Sequence, residues 1–185
     1  MALTPSNMVP LRTTAPEFNL PDAISGKIIQ FRALKGKNGT AVVFICNHCP
    51  YVIHIRAELV KLLNSYLRKG VGAVAINSND VQNYPDDSPE NMKQLGLRLG
   101  FDFPYLFDES QVVAKAYNAA CTPDIYLFDA DDKLYYRGQF DNSRPGSKNP
   151  VTGMDFQTAL DNLLALKPPP DPQIPSMGCN IKWKK

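Results

Sequence analysis

Thr40-Ala-Val-Val-Phe-Ile-Cys-Asn-His-Cys-Pro-Tyr-Val52 decides how the whole chain is read. Its first part, Thr40 to Cys46, is β-branched or apolar almost throughout, the pattern of a central strand covered on both faces. Pro50 then opens a helical stretch to Lys69. Val52, Ile55, Leu59, Leu62 or Leu63 and Tyr66 recur on one face of it, while Glu58, Lys61 and Arg68 face water. Gly70 stops the helix, and Val71 to Ile76 reads as a second buried strand. Such a strand–helix–strand unit implies parallel pairing through a crossover.

Cys49 falls where the strand ends and the helix starts. Pro50 suits the first helical position, which makes Cys49 the expected N-cap. Unpaired backbone N–H groups and the positive end of the helix dipole then face its sulfur. That placement favours thiolate over thiol, and the thiolate is the nucleophile in disulfide exchange and in attack on peroxides. Cys46-Asn47-His48-Cys49 is also a Cys-x-x-Cys, and a protonated His48 would favour a neighbouring thiolate. Cys46, Cys49, His48 and His54 are residue types that zinc takes. With one cysteine pair, and with His54 on the helix beyond, no metal and no other cofactor is expected. His54 reads as a surface histidine.

The remaining chain extends this pattern. Residues 1–14 read as an irregular arm containing Pro5 and Pro10, residues 15–166 as one domain, and residues 167–185 as a Pro-rich extended tail. Within the domain, Ser88 and Pro89 start a second long helix that Gly100 ends, and Ser110 to Tyr117 is a short one. Asp124 to Phe128 and Leu134 to Phe140 form an antiparallel hairpin, and Gly153 to Ala165 is a final amphipathic helix. The 185 residues are 44% hydrophobic and 21% charged, with a net charge of +2 that is spread along the chain. These values fit one globular domain and give no argument for nucleic acid or a membrane surface. Lys182, Lys184 and Lys185 read as a solvated basic tip. The first 14 residues lack a secretory pattern and no apolar run reaches membrane-spanning length, so a cytoplasmic setting is expected. There, clustered cysteines point to redox chemistry rather than to a disulfide scaffold.

Several stretches together resemble the thioredoxin-like proteins of the alkyl hydroperoxide reductase/thiol-specific antioxidant group. They are Thr14-Ala-Pro-Glu-Phe-Asn-Leu-Pro-Asp22, the strand Ala41 to Ile45, Cys49-Pro50, and Pro123 before a strand. Phe44 to Val52, Cys121-Thr-Pro-Asp124 and Gly178-Cys-Asn-Ile-Lys-Trp183 look like its peroxiredoxin-like branch. The resemblance implies an α/β, thioredoxin-like fold: a central mixed β-sheet flanked by helices on both faces. It implies a cis Pro123 beside Cys49, with Thr122 and Pro123 joining Cys49, Cys46 and His48 in the site. It further implies a thiol or disulfide substrate or a peroxide, and an external thiol reductant. Counted from Phe44, the first catalytic cysteine of the superfamily falls on Cys49 and the second on Val52. The buried carboxylate that serves thioredoxins as general base falls on Val43. The peroxiredoxin Pro-x-x-x-Thr-x-x-Cys would need its proline at Val42 and its threonine at Cys46, and that family's arginine falls near Pro123. Efficient peroxide reduction is therefore not expected. Cys46 ranks first as the thiol that resolves Cys49, followed by Cys179 and then Cys121.

Overall fold

The computed structural model describes residues 3–184. In chain order the strands and helices are β1 (Leu3–Pro5), β2 (Asn19–Pro21), β3 (Ile28–Gln30), β4 (Gly39–Phe44), α1 (Pro50–Leu67), β5 (Val71–Asn77) and α2 (Pro89–Leu99). They continue with β6 (Tyr105–Phe107), α3 (Val112–Ala116), β7 (Cys121–Thr122), β8 (Asp124–Phe128), β9 (Leu134–Gly138), α4 (Met154–Leu164) and β10 (Met177–Asn180). A five-stranded sheet runs β6-β5-β4-β8-β9. β4, β5 and β6 are parallel, whereas β8 runs antiparallel to β4 and to β9. This is the mixed, thioredoxin-like sheet that the strand–helix–strand unit and the later hairpin led us to expect.

The central strand β4 sends alternate side chains to opposite faces. Ala41, Val43 and Ile45 join a cluster with Val52, Ile55 and Leu59 of α1, Met92 and Leu95 of α2, and Phe156 and Leu160 of α4. Val42 and Phe44 pack on the other side with Phe18, Leu20, Val113 and Tyr117, under the β2–β3 hairpin and α3. Three long helices thus cover one face, and one short helix with a hairpin covers the other. Fully burying one such aliphatic side chain stabilises the fold by roughly 1.5–3 kcal/mol.

Local signals set the helix ends. Ser88 Oγ accepts from Asn91 N at the start of α2, and Gly100 closes it with φ +68°. The Thr122–Pro123 peptide is cis.

The two ends of the chain differ from expectation. Within the N-terminal arm Leu3–Pro5 form β1, which pairs antiparallel with β10 and places Leu3 opposite Cys179. β10 pairs in turn with β7, placing Cys179 opposite Thr122. A β-carbon on Gly178 would collide with the Thr122 carbonyl, so glycine is what lets the tail lie this close. Ile181 is buried, while Trp183 stays partly exposed below Lys115. Nor is Lys182 a solvated tip. It is 6% exposed, its Nζ donates to Asn180 O and Oδ1, and its backbone bonds Asn79, Asp80 and Gln111. Two backbone hydrogen bonds to the Asn79–Asp80 turn give a tail lysine a reason to be buried. Met1, Ala2 and Lys185 lie outside the described residues.

Candidate active site

β4 ends at Phe44, and the Ile45 amide still donates to Ile76 O, so the chain leaves the sheet only at Cys46. The turn that follows is held from a distance. Asp87, in a 3-10 turn at Pro85–Asp87, accepts from Asn47 N at 2.7 Å and from His48 N at 3.3 Å through Oδ1. Asn47 Nδ2 donates to Asp86 O, and Tyr105 donates its hydroxyl to Asn47 Oδ1. Cys49 is then the N-cap of α1, with Pro50 as the first helical residue.

Three sulfurs meet at this end of the helix. Cys49 Sγ lies 3.1 Å from Thr122 O, and Cys46 Sγ lies 3.4 Å from Thr122 Oγ1. The thiol of Cys179 hydrogen-bonds Cys49 from β10. The Cys49 thiol is held far below the ordinary value, at about 4. Its main cause is the hydrogen bond from Cys46; Cys179, the Val52 backbone N–H and Thr122 add to it, and burial opposes it. The reciprocal bond raises Cys46 well above its usual range, with burial adding to the effect. Burial and the neighbouring Cys49 charge push Cys179 up to about 12. The helix end contributes as the sequence led us to expect, but neighbouring thiols contribute more.

Cys121 precedes Thr122 yet faces away. Its sulfur meets Pro123 O at 3.5 Å and Ser6 Oγ at 3.9 Å, and burial followed by the Asp124 charge pushes its thiol up. His54 turns to Ser143 Oγ at 3.0 Å and takes no part in the sulfur cluster. His48 Nδ1 lies 2.7 Å from Asp87 Oδ2, and its ring stacks on Tyr84. The bond to Asp87 raises the imidazole pKa. Burial pushes the Asp87 carboxyl upward, but bonds from His48 and Asn79 outweigh it and leave the pKa lowered. Asp87 was missed by sequence reading. It lies in a patternless stretch 38 residues after Cys49, just ahead of a helix cap it does not form, and no local signal marks it.

Donor atoms of Cys46, His48 and Asp87 lie within 4.8 Å of one another, the kind of set a metal takes. The fit fails at Asp87. Each of its oxygens already accepts two N–H groups, from Asn47 and His48 backbone on one side and from His48 Nδ1 and Asn79 Nδ2 on the other. A carboxylate so occupied has no lone pair left for a cation.

Beside the sulfurs, Tyr51, His54, Pro123, Asp141, Arg144 and Met177 line a recess holding about 280 Å³ of empty space open to solvent. Cys49 does not line it and is 0% exposed.

Residues 11–137 match the AhpC/TSA family, a span that holds Cys46, His48, Cys49 and the cis Pro123. The chain belongs to the AhpC/TSA family. Among solved structures, this AhpC/TSA-family chain is similar to an uncharacterized conserved protein from Geobacillus kaustophilus, at 55% identity and TM-score 0.97, covering 100% of this chain and 97% of that one. A hypothetical protein from Sinorhizobium meliloti 1021 follows at 46% identity and TM-score 0.95, covering 98% of each chain. Peroxidoxin BcpB from Mycobacterium tuberculosis shares the fold at 17% identity and TM-score 0.63, over 85% of this chain and 97% of that one. No curated protein matches. Family membership and the gathered sulfurs support thiol-based oxidoreductase chemistry. No helix among the described residues is long and apolar enough to cross a membrane.

Proposed function

We propose that this protein exchanges disulfides through Cys49 as nucleophile, with Cys46 as the thiol that resolves the mixed disulfide. One observation carries the reading: Cys46 and Cys49 both place their sulfurs on Thr122 at the start of α1, Cys179 lies opposite Thr122 on β10, and the neighbouring thiols lower the Cys49 pKa. Thr122 meets both sulfurs, its carbonyl accepting from the Cys49 thiol and its hydroxyl lying at Cys46, and the cis Pro123 follows it. The substrate is a disulfide or thiol whose chain lies along the recess at Pro123 and Met177, and an external thiol returns the protein to its reduced form. Reduced cysteines at the centre of the chemistry suit the cytoplasm, where we place it. A peroxide is a second oxidant of Cys49. It is a poor one, because Val42, Cys46 and Pro123 occupy the positions where peroxiredoxins carry their proline, threonine and arginine.

Cys179 is a second reading for the resolving thiol, favoured by its sulfur contact with Cys49 across β10. Oxidising the protein with one equivalent of a small aryl disulfide and mapping the product by mass spectrometry tests both. A Cys46–Cys49 bond is expected, and a Cys49–Cys179 bond transfers the role to the tail. If Cys49 fails to react and the Cys49→Ser protein behaves as wild type, the fold serves as a binding module and the redox reading is withdrawn.

A further inference from the structure

The position at which thioredoxins bury their general base is Val43 here, in a wholly apolar strand. A carboxylate reaches the sulfurs from elsewhere in the chain instead. Asp87 is 0% exposed, and one of its oxygens, a His48 ring nitrogen and Cys46 Sγ lie within 4.8 Å of one another. The bond from His48 Nδ1 to Asp87 Oδ2 fixes the ring, as does Tyr84 stacked at 5.4 Å and 10°. The other ring nitrogen, Nε2, is buried and has no partner among the described residues. A buried imidazole nitrogen normally finds one, so an orphan on a ring that lies within reach of Cys46 calls for an explanation. Its charged and titratable surroundings are Asp87 and Cys49, which favour the imidazolium, Lys182 of the tail, which opposes it, and Cys46 and Tyr84.

We propose that His48 carries the proton of the resolving step and that Asp87 is its positioning residue. The proposal rests on the reading of Cys49 as nucleophile and Cys46 as resolving thiol. In the first step the Cys49 thiolate attacks a substrate disulfide, forming a Cys49–substrate bond and expelling one substrate thiolate. In the second, Cys46 loses its proton to neutral His48, and its sulfur attacks Cys49 Sγ. The Cys46–Cys49 bond forms as the Cys49–substrate bond breaks, and the leaving thiolate takes the proton from the His48 imidazolium. Cys46 and Cys49 are oxidised, and the substrate disulfide is reduced to one thiolate, released in the first step, and one thiol, released in the second. Cys46 needs this help: once Cys49 is held in the mixed disulfide the bond between the two sulfurs no longer acts, but burial and the Asp87 charge still raise the Cys46 thiol.

Dithiobis-nitrobenzoate separates the two steps, since each releases one coloured thionitrobenzoate. In wild type, the second release rises with pH through the titration of His48. His48→Gln is expected to slow the second release about a hundredfold relative to the first and to remove that inflection. Asp87→Asn keeps the ring but removes the charge that raises its basicity, so the inflection moves to lower pH. An unchanged inflection in either variant overturns the proposal. So does a second release that survives in Cys46→Ser and disappears in Cys179→Ser. A thermal melt by circular dichroism accompanies Asp87→Asn, and should that variant not fold, His48→Gln decides alone. A first release undiminished in Cys49→Ser overturns the nucleophile assignment instead, a failure distinct from that of His48.

Discussion

Cys49 and Cys121 are both 0% exposed and both touch the Thr122–Pro123 segment, yet their thiols behave in opposite ways. Cys49 is held at about 4, whereas burial and the charge of Asp124 drive Cys121 upward. Burial opposes ionisation at both sites, so exposure does not separate them. What separates them is the direction of nearby dipoles. Both sulfurs face a backbone carbonyl, Thr122 O for Cys49 and Pro123 O for Cys121; at Cys49 two S–H groups and the Val52 amide outweigh it, while Cys121 has only the Ser6 hydroxyl against a carboxylate.

The largest expected effect sets the two cysteines side by side. Brief iodoacetamide treatment at pH 7 should label Cys49 roughly a hundredfold faster than Cys121, because alkylation follows the thiolate fraction. Equal labelling, read by peptide mass spectrometry, breaks the comparison outright.

Next come the donors. Cys46→Ala removes the S–H that contributes most at Cys49, and a hydrogen bond to a charged group is worth about 1.5–3 kcal/mol. The Cys49 thiolate fraction at pH 5, followed by absorbance at 240 nm, should fall by roughly two- to fifteenfold. Gly178→Val pushes β10 away from Thr122 and so withdraws the Cys179 donor; the fall should be smaller, in keeping with its lesser contribution. A larger fall in Gly178→Val than in Cys46→Ala would reverse the order of the two donors.

Stability against pH should show the same contrast as two slopes in separate windows. The Cys49 pKa is depressed in the folded chain, so the unfolded chain binds its proton first as pH falls. Its contribution is present above the unfolded value of about 8.5 and is lost as pH drops toward about 4. For Cys121 the folded pKa is raised, so the unfolded chain loses its proton first. Stability then declines as pH climbs above about 8.5. Urea midpoints should therefore flatten on the acid side in Cys49→Ser and on the alkaline side in Cys121→Ser. Interchanged slopes would show that the two environments have been assigned the wrong way round.

The smallest effect belongs to Ser6→Ala. Ser6 Oγ donates to Asp124 Oδ1 at 2.8 Å and lies beside Cys121, and it is not among the groups that lower Cys49. About 1 kcal/mol of unfolding stability should be lost, with Cys49 labelling unchanged. Any change at Cys49 would mean that the two neighbourhoods communicate through β7.

Much of this was legible before folding. The apolar run Thr40 to Cys46 and the spacing from Val52 to Tyr66 are statements about a strand buried on two faces and a helix buried on one. Pro50 marks the helix start because a missing N–H costs nothing there. Cys49 follows as the residue at the junction. The arm and the tail were not legible as partners. β1 and β10 are short and lack alternation, and their pairing rests on backbone bonds that any sequence of compatible shape can make.

By itself, then, the sequence determined the α/β layout, the junction that carries Cys49 and the departures at Val43 and Val52, because each depends on residues within a few turns of one another. Only the tertiary structure decided which groups surround the sulfur. Asp87 reaches His48 across 39 residues and Thr122 reaches Cys49 across 73, and Cys179 arrives on a strand that a glycine allows against Thr122. Hydrogen bonds fall off within a few tenths of an ångström, so a thiol's acidity depends on which atoms end up adjacent in space. Sequence separation carries no such information.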